Sequence, residues 1–139
     1  MSIREHEYIS IFIVDDEELI TRSLAHILRN EGFLVTTFNN PLKALARIKI
    51  DAPDLLISDV MMPELSGIDL AVETSKAVPD CKILLFSGAA DDLLQNAGEH
   101  GVGFRLLSKP LHPYLLLQEI ETLTAVCSPP CFPNRLPAQ

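Results

Sequence analysis

Residues 53–70 read PDLLISDVMMPELSGIDL, and this segment decides the fold. The apolar run LLI at 55–57 has the composition of a strand that is buried on both faces of a sheet. The run ends at Asp59, and a segment rich in turn-forming residues follows it. In open parallel α/β sheets, ligands bind at the carboxyl ends of the strands. Asp59 is therefore the first candidate functional residue.

Four other segments have a strand-like composition, and a helical pattern follows each of the five strands. Strands that alternate with helices across short connections form a parallel sheet with right-handed crossovers and helices on both faces. We therefore expect an α/β fold with a five-stranded parallel sheet. The predicted strands lie at 9–14, 34–38, 55–58, 82–87 and 103–108, and the helical patterns lie at about 17–31, between Pro41 and Pro53, between Gly67 and Pro79, at 89–100 and at 113–126.

Apolar residues recur at helical spacing in the predicted helices, which places one face of each helix against the sheet. The pair Asn39-Asn40 before Pro41 is typical of a helix cap. Segment 89–100 is polar and has few large apolar residues, so we expect a weakly packed, mobile helix there. The apolar positions include Leu19, Leu24 and Leu28 in the first helix and Leu115, Leu116 and Ile120 in the last.

The composition is that of a globular protein with one domain. Of the 139 residues, 47% are hydrophobic and 22% are charged, and no segment approaches the roughly 20 continuous apolar residues of a membrane span. The formal net charge of -8 disfavours direct binding to nucleic acid, which relies on lysine and arginine to neutralise phosphates. The opening MSIREHEYIS lacks the apolar core of a signal peptide, so we expect a cytoplasmic protein.

The chain divides into a domain and two short flanking segments. We expect residues 9–126 to form the domain, residues 1–8 to be an N-terminal extension, and the proline-rich residues 127–139 to be a flexible tail. The odd set of cysteines is a poor disulfide framework and a weak metal signal, so we interpret them as structural or incidental. They are Cys81, Cys127 and Cys131.

An acid, a hydroxyl or an ammonium ends or directly follows four of the five predicted strands: Asp15 and Asp16, Asp59, Ser87, and Lys109. Because parallel strands end at one edge of the sheet, these side chains should converge on one site. Two carboxylates about 4 Å apart repel by roughly 4 kcal/mol at an effective dielectric of about 20, so three of them need a cation or protons. A small set of oxygen ligands is typical of Mg²⁺, which also accepts phosphate oxygens. The pattern predicts a Mg²⁺ site.

The same residues indicate phosphoryl chemistry. Asp59 can attack phosphorus to give an aspartyl phosphate, while Mg²⁺ and Lys109 neutralise charge on the transferred group. Ser87 can donate a hydrogen bond to a phosphoryl oxygen. Each residue alone has an ordinary explanation, as a helix cap, a turn residue or a solvated lysine. Coincidence at four strand ends explains the set poorly.

Four motifs also resemble those of a known family. IFIVDDEE, LLISDVMMPELSG, ILLFSGAA and LLSKP resemble, in order and at similar separations, the motifs of the receiver domain of two-component response regulators. The resemblance covers about residues 9–126. It implies a doubly wound (βα)5, flavodoxin-like sandwich.

The resemblance implies a role for each site residue. Asp59 matches the phosphoacceptor, Ser87 the switch hydroxyl, and Lys109 the phosphate-binding lysine, which a cis peptide bond joins to Pro110 in the family. The metal ligands that it implies are Asp16 and Asp59, the backbone carbonyl of Met61, and Asp15 acting mainly through a metal-bound water.

One position departs from the family pattern. Receiver domains usually carry tyrosine or phenylalanine three residues before the lysine, and that aromatic ring turns inward after phosphorylation. Here the position is Leu106, and Phe104 lies two residues earlier on the same side of the strand. We expect the phosphorylation chemistry to survive the change, whereas the usual conformational readout lacks its ring.

The leading functional hypothesis is a single-domain regulator. It would take a phosphoryl group from a sensor histidine kinase or histidine phosphotransfer protein and change its affinity for a downstream protein that the sequence does not identify. It would not turn over a substrate or bind a membrane. One alternative is a receiver module of a longer hybrid kinase or regulator.

Two further alternatives differ in mechanism. A phosphatase or another Mg²⁺ enzyme is disfavoured because Met61 stands where a second acid would be needed and no glycine-rich phosphate loop is present. A binding module that works without phosphorylation rests on Leu106 alone.

Overall fold

The computed structural model describes residues 9–87, 105–108 and 112–123. All paired strands are parallel, and they lie in the order β2-β1-β3-β4-β5. This sheet confirms the predicted α/β fold. The elements in chain order are β1 (Ser10–Val14), α1 (Glu18–Asn30), β2 (Leu34–Phe38), α2 (Pro41–Ile50), β3 (Leu55–Asp59), α3 (Gly67–Ala77), β4 (Lys82–Ser87), β5 (Arg105–Ser108) and α4 (Pro113–Leu123).

The central strands are apolar because both faces of the sheet are covered. All five residues of β3 are buried, as are the last four of β1. Side chains of β1 alternate between two hydrophobic cores, with Ile11 and Ile13 in one and Phe12 and Val14 in the other. β2 lies at an edge of the sheet and is only partly buried.

The helices pack on both faces of the sheet. α1 and α4 contribute Leu28 and Leu116 to the core that contains Ile11. α2 and α3 contribute Ile48 and Leu70 to the core on the other face. Each described helix follows a strand and runs back across the sheet, so its first turn lies near the edge where the strands end.

Side-chain caps fix where α2 and α3 begin. Asn40 Oδ1 accepts hydrogen bonds from two backbone N–H groups of the first turn of α2, at 2.8 and 3.1 Å, and Pro41 is the first helical residue. Ser66 caps α3 in the same way, through a 3.1 Å bond. Of the pair expected to cap α2, only Asn40 does so.

Two leucines that the helical pattern assigned to the core are exposed. Leu19 is 76% exposed and Leu115 is 57% exposed. Leu19 precedes the buried Thr21 by two residues, which is about 200° around the helix, and Leu115 is about 100° from the buried Leu116. For these two leucines the expectation was wrong, because apolar residues also occur on the side of each helix that does not pack against the sheet.

Several expectations concern parts of the chain outside the described residues. They are the helix at 89–100, the start of the fifth strand, Phe104, Lys109 and its bond to Pro110, Cys127, Cys131, and the segments 1–8 and 127–139. Among the helices that the structure describes, none combines the length and the apolar character that crossing a membrane requires.

Candidate functional site

Three aspartates meet at the edge where β1 and β3 end. Asp15 and Asp16 directly follow β1, and Asp59 is the last residue of the neighbouring β3. One carboxylate oxygen from each residue lies within 4.8 Å of the others. Asp15 is fully buried, Asp59 is 5% exposed, and Asp16 faces solvent. The cluster is therefore set into the sheet edge and open on one side.

The geometry makes this cluster chemically suitable for a small cation. At an effective dielectric of about 20, two unit charges at the 4.8 Å limit repel by roughly 3.5 kcal/mol. Three carboxylates with two of them buried are stabilised by a divalent ion, and hard oxygen ligands suit Mg²⁺. The donor set thus fits the cation that the sequence predicts.

Ser87 ends the next strand along the same edge. The register of β3 and β4 pairs Asp59 with Phe86, the residue before Ser87. The backbone N–H of Val60 also donates to the carbonyl of Phe86, at 3.1 Å. Ser87 is 1% exposed, so it is buried at the same edge of the sheet as the carboxylates. Lys109, the fourth strand-end candidate, is outside the described residues.

Comparison with known families gives an unambiguous match. The family described as the response regulator receiver domain matches residues 11–121. The chain belongs to this family. Receiver domains are regulatory domains of two-component systems and are generally not substrate-turnover enzymes. The family interacts with histidine kinases or phosphotransfer proteins and typically binds Mg²⁺ at an acidic pocket.

Individual relatives show how much of each protein this receiver domain resembles. It is 34% identical to the response regulator receiver protein CpdR of Brucella abortus, over 81% of this chain and 94% of CpdR. It is 26% identical to the transcriptional regulatory protein CreB of Escherichia coli, over 82% of this chain and 50% of CreB. The chain thus spans nearly all of CpdR and about half of CreB.

Solved structures of receiver domains have the same fold as this chain. The chemotaxis protein CheY4 of Vibrio cholerae matches with a TM-score of 0.76 and 25% identity, over 84% of this chain and 98% of CheY4. A CheY-like receiver domain protein of Methanospirillum hungatei matches with a TM-score of 0.77 and 27% identity, over 84% of this chain and 93% of that one.

Met61 lies in the loop after β3, two residues beyond Asp59. The residue is 68% exposed. Its expected contribution to a cation site is its backbone carbonyl, which does not depend on the side chain.

Leu106 is a packing residue on β5. It is partly buried against the core that α2 and α3 cover, and its backbone pairs with Leu85 of β4. An aliphatic side chain fills this position, where the sequence resemblance led us to expect an aromatic ring. The structure thus gives Leu106 a role in the core, whereas its role in a conformational switch stays a prediction.

Two hydrogen bonds, one from a side chain and one within the backbone, hold the chain at Asp59 and Val60. Ser58 Oγ donates to the carbonyl oxygen of Asp59 at 2.8 Å. The backbone N–H of Gly67 donates to the carbonyl of Val60 at 2.8 Å, which fastens the start of α3 to the end of β3. These contacts limit the freedom of the Asp59 backbone, and the strand pattern alone did not predict them.

Asp15 is held by neighbours on three sides. Its Oδ1 accepts the backbone N–H of Glu17 at 2.9 Å, and its own N–H donates to the carbonyl of Phe38 at 3.1 Å. Asn39 Nδ2 donates to the Asp15 carbonyl at 2.8 Å. Sequence reasoning missed Asn39 as a site residue. The signal that could have identified Asn39 is its position directly after β2, since the other candidate residues also end or follow a strand.

Cys81 directly precedes β4, so it lies where the strands begin, opposite the end of the sheet that carries the carboxylate cluster. Burial raises the pKa of its thiol to about 12, the nearby Asp54 carboxylate adds to the shift, and a hydrogen bond from the Leu56 backbone and the charge of Lys82 act against it. Because the thiolate is the reactive form, the raised pKa lowers the reactivity of this thiol at neutral pH.

Proposed function

We propose that this receiver domain accepts a phosphoryl group on Asp59 from a phosphohistidine of a sensor histidine kinase or histidine phosphotransfer protein. Phosphorylation then changes its affinity for a downstream protein. The observation that carries the proposal is the cluster of three carboxylate oxygens within 4.8 Å at the carboxyl ends of β1 and β3. The family match over residues 11–121 supports it.

The three carboxylates would bind Mg²⁺ together with one backbone carbonyl. Asp16, Asp59 and the backbone carbonyl of Met61 would bind Mg²⁺ directly, and Asp15 would act through a bound water. When bound, the ion supplies positive charge that offsets the negative charge of the phosphoryl oxygens. The exposed side of the cluster at Asp16 leaves a path for the donor.

Asp59 provides the nucleophile. A carboxylate oxygen of Asp59 forms a bond to phosphorus as the phosphorus–nitrogen bond to the donor histidine breaks. The electron pair of that bond stays on the imidazole nitrogen, and because the other ring nitrogen carries a proton, the donor histidine leaves as a neutral imidazole. Ser87 would donate a hydrogen bond to a phosphoryl oxygen, and Lys109 would place its ammonium beside another.

The response would be a shift between two conformations of the domain. Phosphorylation changes partner affinity only to the extent that the two conformations bind that partner differently. A shift from 1:99 to 99:1 takes about 5.5 kcal/mol, so a partial shift is sufficient for regulation. Leu106 packs in the core without an aromatic ring, so the shift would involve the phosphoryl contacts of Ser87 more than a ring rotation.

The relatives bear on the setting of this function. The match over 94% of the response regulator receiver protein CpdR supports a receiver that acts as a single domain. CreB is matched over 50% of its length, so the receiver domain is one part of that transcriptional regulatory protein. We propose that residues 9–126 of this chain carry the phosphoryl chemistry.

Intact mass after incubation with acetyl phosphate tests the proposal. The wild-type protein with Mg²⁺ should gain one phosphoryl group, and the gain should disappear with a chelator or in Asp59→Asn. Asp80→Asn is the matched control, because it removes the same charge from an exposed turn and should leave the gain intact. Absence of the gain in wild type, or its persistence in Asp59→Asn, would contradict the assignment.

A further inference from the structure

Asn39, the residue that follows β2, contacts the backbone of the segment that carries Asp15 and Asp16. β2 ends at Phe38, and the next residue, Asn39, turns its side-chain amide toward the segment that joins β1 to α1. Asn39 Nδ2 donates to the backbone carbonyl of Asp15 at 2.8 Å and to Thr21 Oγ1 at 3.2 Å. One amide therefore bridges the beginning and the end of residues 15–21.

The two acceptors require a side chain with two hydrogens on one nitrogen. The carbonyl of Asp15 can only accept a hydrogen bond. Thr21 is fully buried, and its hydroxyl hydrogen is already donated to the carbonyl of Glu18 at 2.9 Å. Its oxygen must then accept from Asn39. An amide satisfies both groups, whereas a carboxylate at this position would place oxygen against oxygen.

The bridged segment carries two of the three clustered carboxylates. Asp15 and Asp16 both lie in it, and Asp59 lies across from them on β3. Repulsion among the three acids tends to push this segment away from β3. The Asn39 amide opposes that movement through the backbone, without adding a further charge to the cluster.

We propose that Asn39 is a positioning residue for the cation site, acting through the Asp15 peptide and Thr21 to keep the β1–α1 segment at the separation from Asp59 that Mg²⁺ requires. The inference rests on the proposed function, since it takes the three aspartates as the Mg²⁺ site. Partners that orient metal ligands commonly change metal affinity by 10- to 100-fold when they are removed. For a backbone partner of this kind we expect about tenfold.

The test is Mg²⁺ affinity, measured by calorimetric titration on the full chain at a temperature where each variant is folded. Asn39→Ala should raise the Mg²⁺ dissociation constant about tenfold. Asn40→Ala is the matched control, because the adjacent asparagine caps α2 and donates to Glu64. It should lower thermal stability and leave the dissociation constant within about twofold. Thr21→Val removes one of the two acceptors of the Asn39 amide, together with the bond to Glu18, so it should have an intermediate effect and serves if Asn39→Ala does not fold.

The outcomes separate this inference from the proposed function. If wild type binds Mg²⁺ and Asn39→Ala binds it equally well, the positioning role is wrong and the proposed function stands. If Asn40→Ala weakens binding as much as Asn39→Ala, the effect is a general loss of stability and the inference fails. If wild type does not bind Mg²⁺ at all, the proposed cation site itself is wrong.

Discussion

The backbone of Gly67 packs directly against the backbone carbonyl of Asp59. A Cβ atom on Gly67 would overlap the Asp59 carbonyl oxygen and would lie 2.8 Å from both the Asp59 carbonyl carbon and Val60 Cα. Only glycine lets α3 begin so close to the end of β3. The proposed phosphoacceptor and the first residue of α3 therefore constrain each other through the main chain.

Gly67→Ala should disturb both the fold and the site. Because the obstructing atoms belong to the backbone, relief requires α3 or the Asp59 peptide to move, at a cost of about 3 kcal/mol in the free energy of unfolding. Urea unfolding measures the cost, and acetyl phosphate labelling should become slower. Ser66→Ala is the control, since it removes the cap of α3, costs about 1 kcal/mol and leaves labelling unchanged. Equal labelling in Gly67→Ala and wild type would show that the contact does not position Asp59.

Neutralising Asp16 should raise the melting temperature without Mg²⁺ and reduce the stabilisation that Mg²⁺ provides. Without Mg²⁺, Asp16→Asn removes one of three mutually repelling charges, so its melting temperature should exceed that of wild type. Mg²⁺ at about ten times its dissociation constant should stabilise wild type by about 1.4 kcal/mol and stabilise the variant less. Differential scanning calorimetry measures both effects. Asp80→Asn should melt and respond to Mg²⁺ like wild type, and an identical Mg²⁺ response in Asp16→Asn would argue against the cation site.

Thr74→Val should stabilise the protein. Thr74 in α3 is fully buried, and among the described residues its Oγ1 has no hydrogen-bond partner. An unpaired buried hydroxyl costs about 1–3 kcal/mol, so the isosteric valine should raise the free energy of unfolding by about 1 kcal/mol. Thr21→Val is the matched comparison, because that buried hydroxyl is paired and its loss should lower the free energy by about 1 kcal/mol. Chemical denaturation of the two variants should therefore give shifts of opposite sign.

The Cys81 thiol should be protected from alkylation by its environment. Its pKa is raised from 9.0 to about 12 in the folded protein, mainly by burial. Since the thiolate is the reactive form, iodoacetamide at pH 8.5 should label folded protein about three orders of magnitude more slowly than protein in denaturant. A variant with Cys127→Ser and Cys131→Ser leaves Cys81 as the single thiol. Comparable rates in the folded and unfolded states would contradict the raised pKa.

The same shift predicts how stability depends on pH. Between about pH 9 and pH 12 the unfolded thiol loses its proton and the folded thiol keeps it. The contribution of Cys81 is thus complete below pH 9 and is lost as the pH rises toward 12. In the variant with Cys81 alone, the free energy of unfolding should fall across this window. The fall should be smaller in Cys81→Ala on the same background.

Much of the fold could be predicted from local composition. The predicted bounds of β2 and β4, 34–38 and 82–87, are those of the structure. Such strands are short apolar runs ended by polar or turn residues, and both signals are local. The exposure of Leu19 and Leu115 was not predictable in this way, because composition does not say which apolar residue of a helix the sheet covers.

The candidate site, too, was predictable from the sequence only in part. Alternation of strands and helices placed Asp15, Asp16 and Asp59 at one edge, since parallel strands share the edge at which they end. Their mutual distances depend on strand order and register, which put β1 directly beside β3. Three acids in the sequence become a cluster only through that pairing.

By itself, the sequence determined the fold class, the edge of the sheet at which chemistry is expected, and the family. Only the tertiary structure decided that Asn39 reaches the Asp15 peptide and that Gly67 must lack a side chain beside Asp59. The physical reason is range. Hydrophobic pattern and strand-end chemistry act between neighbours in the chain, whereas the Asn39 contact joins residues 24 positions apart, which become neighbours only after β2 pairs with β1.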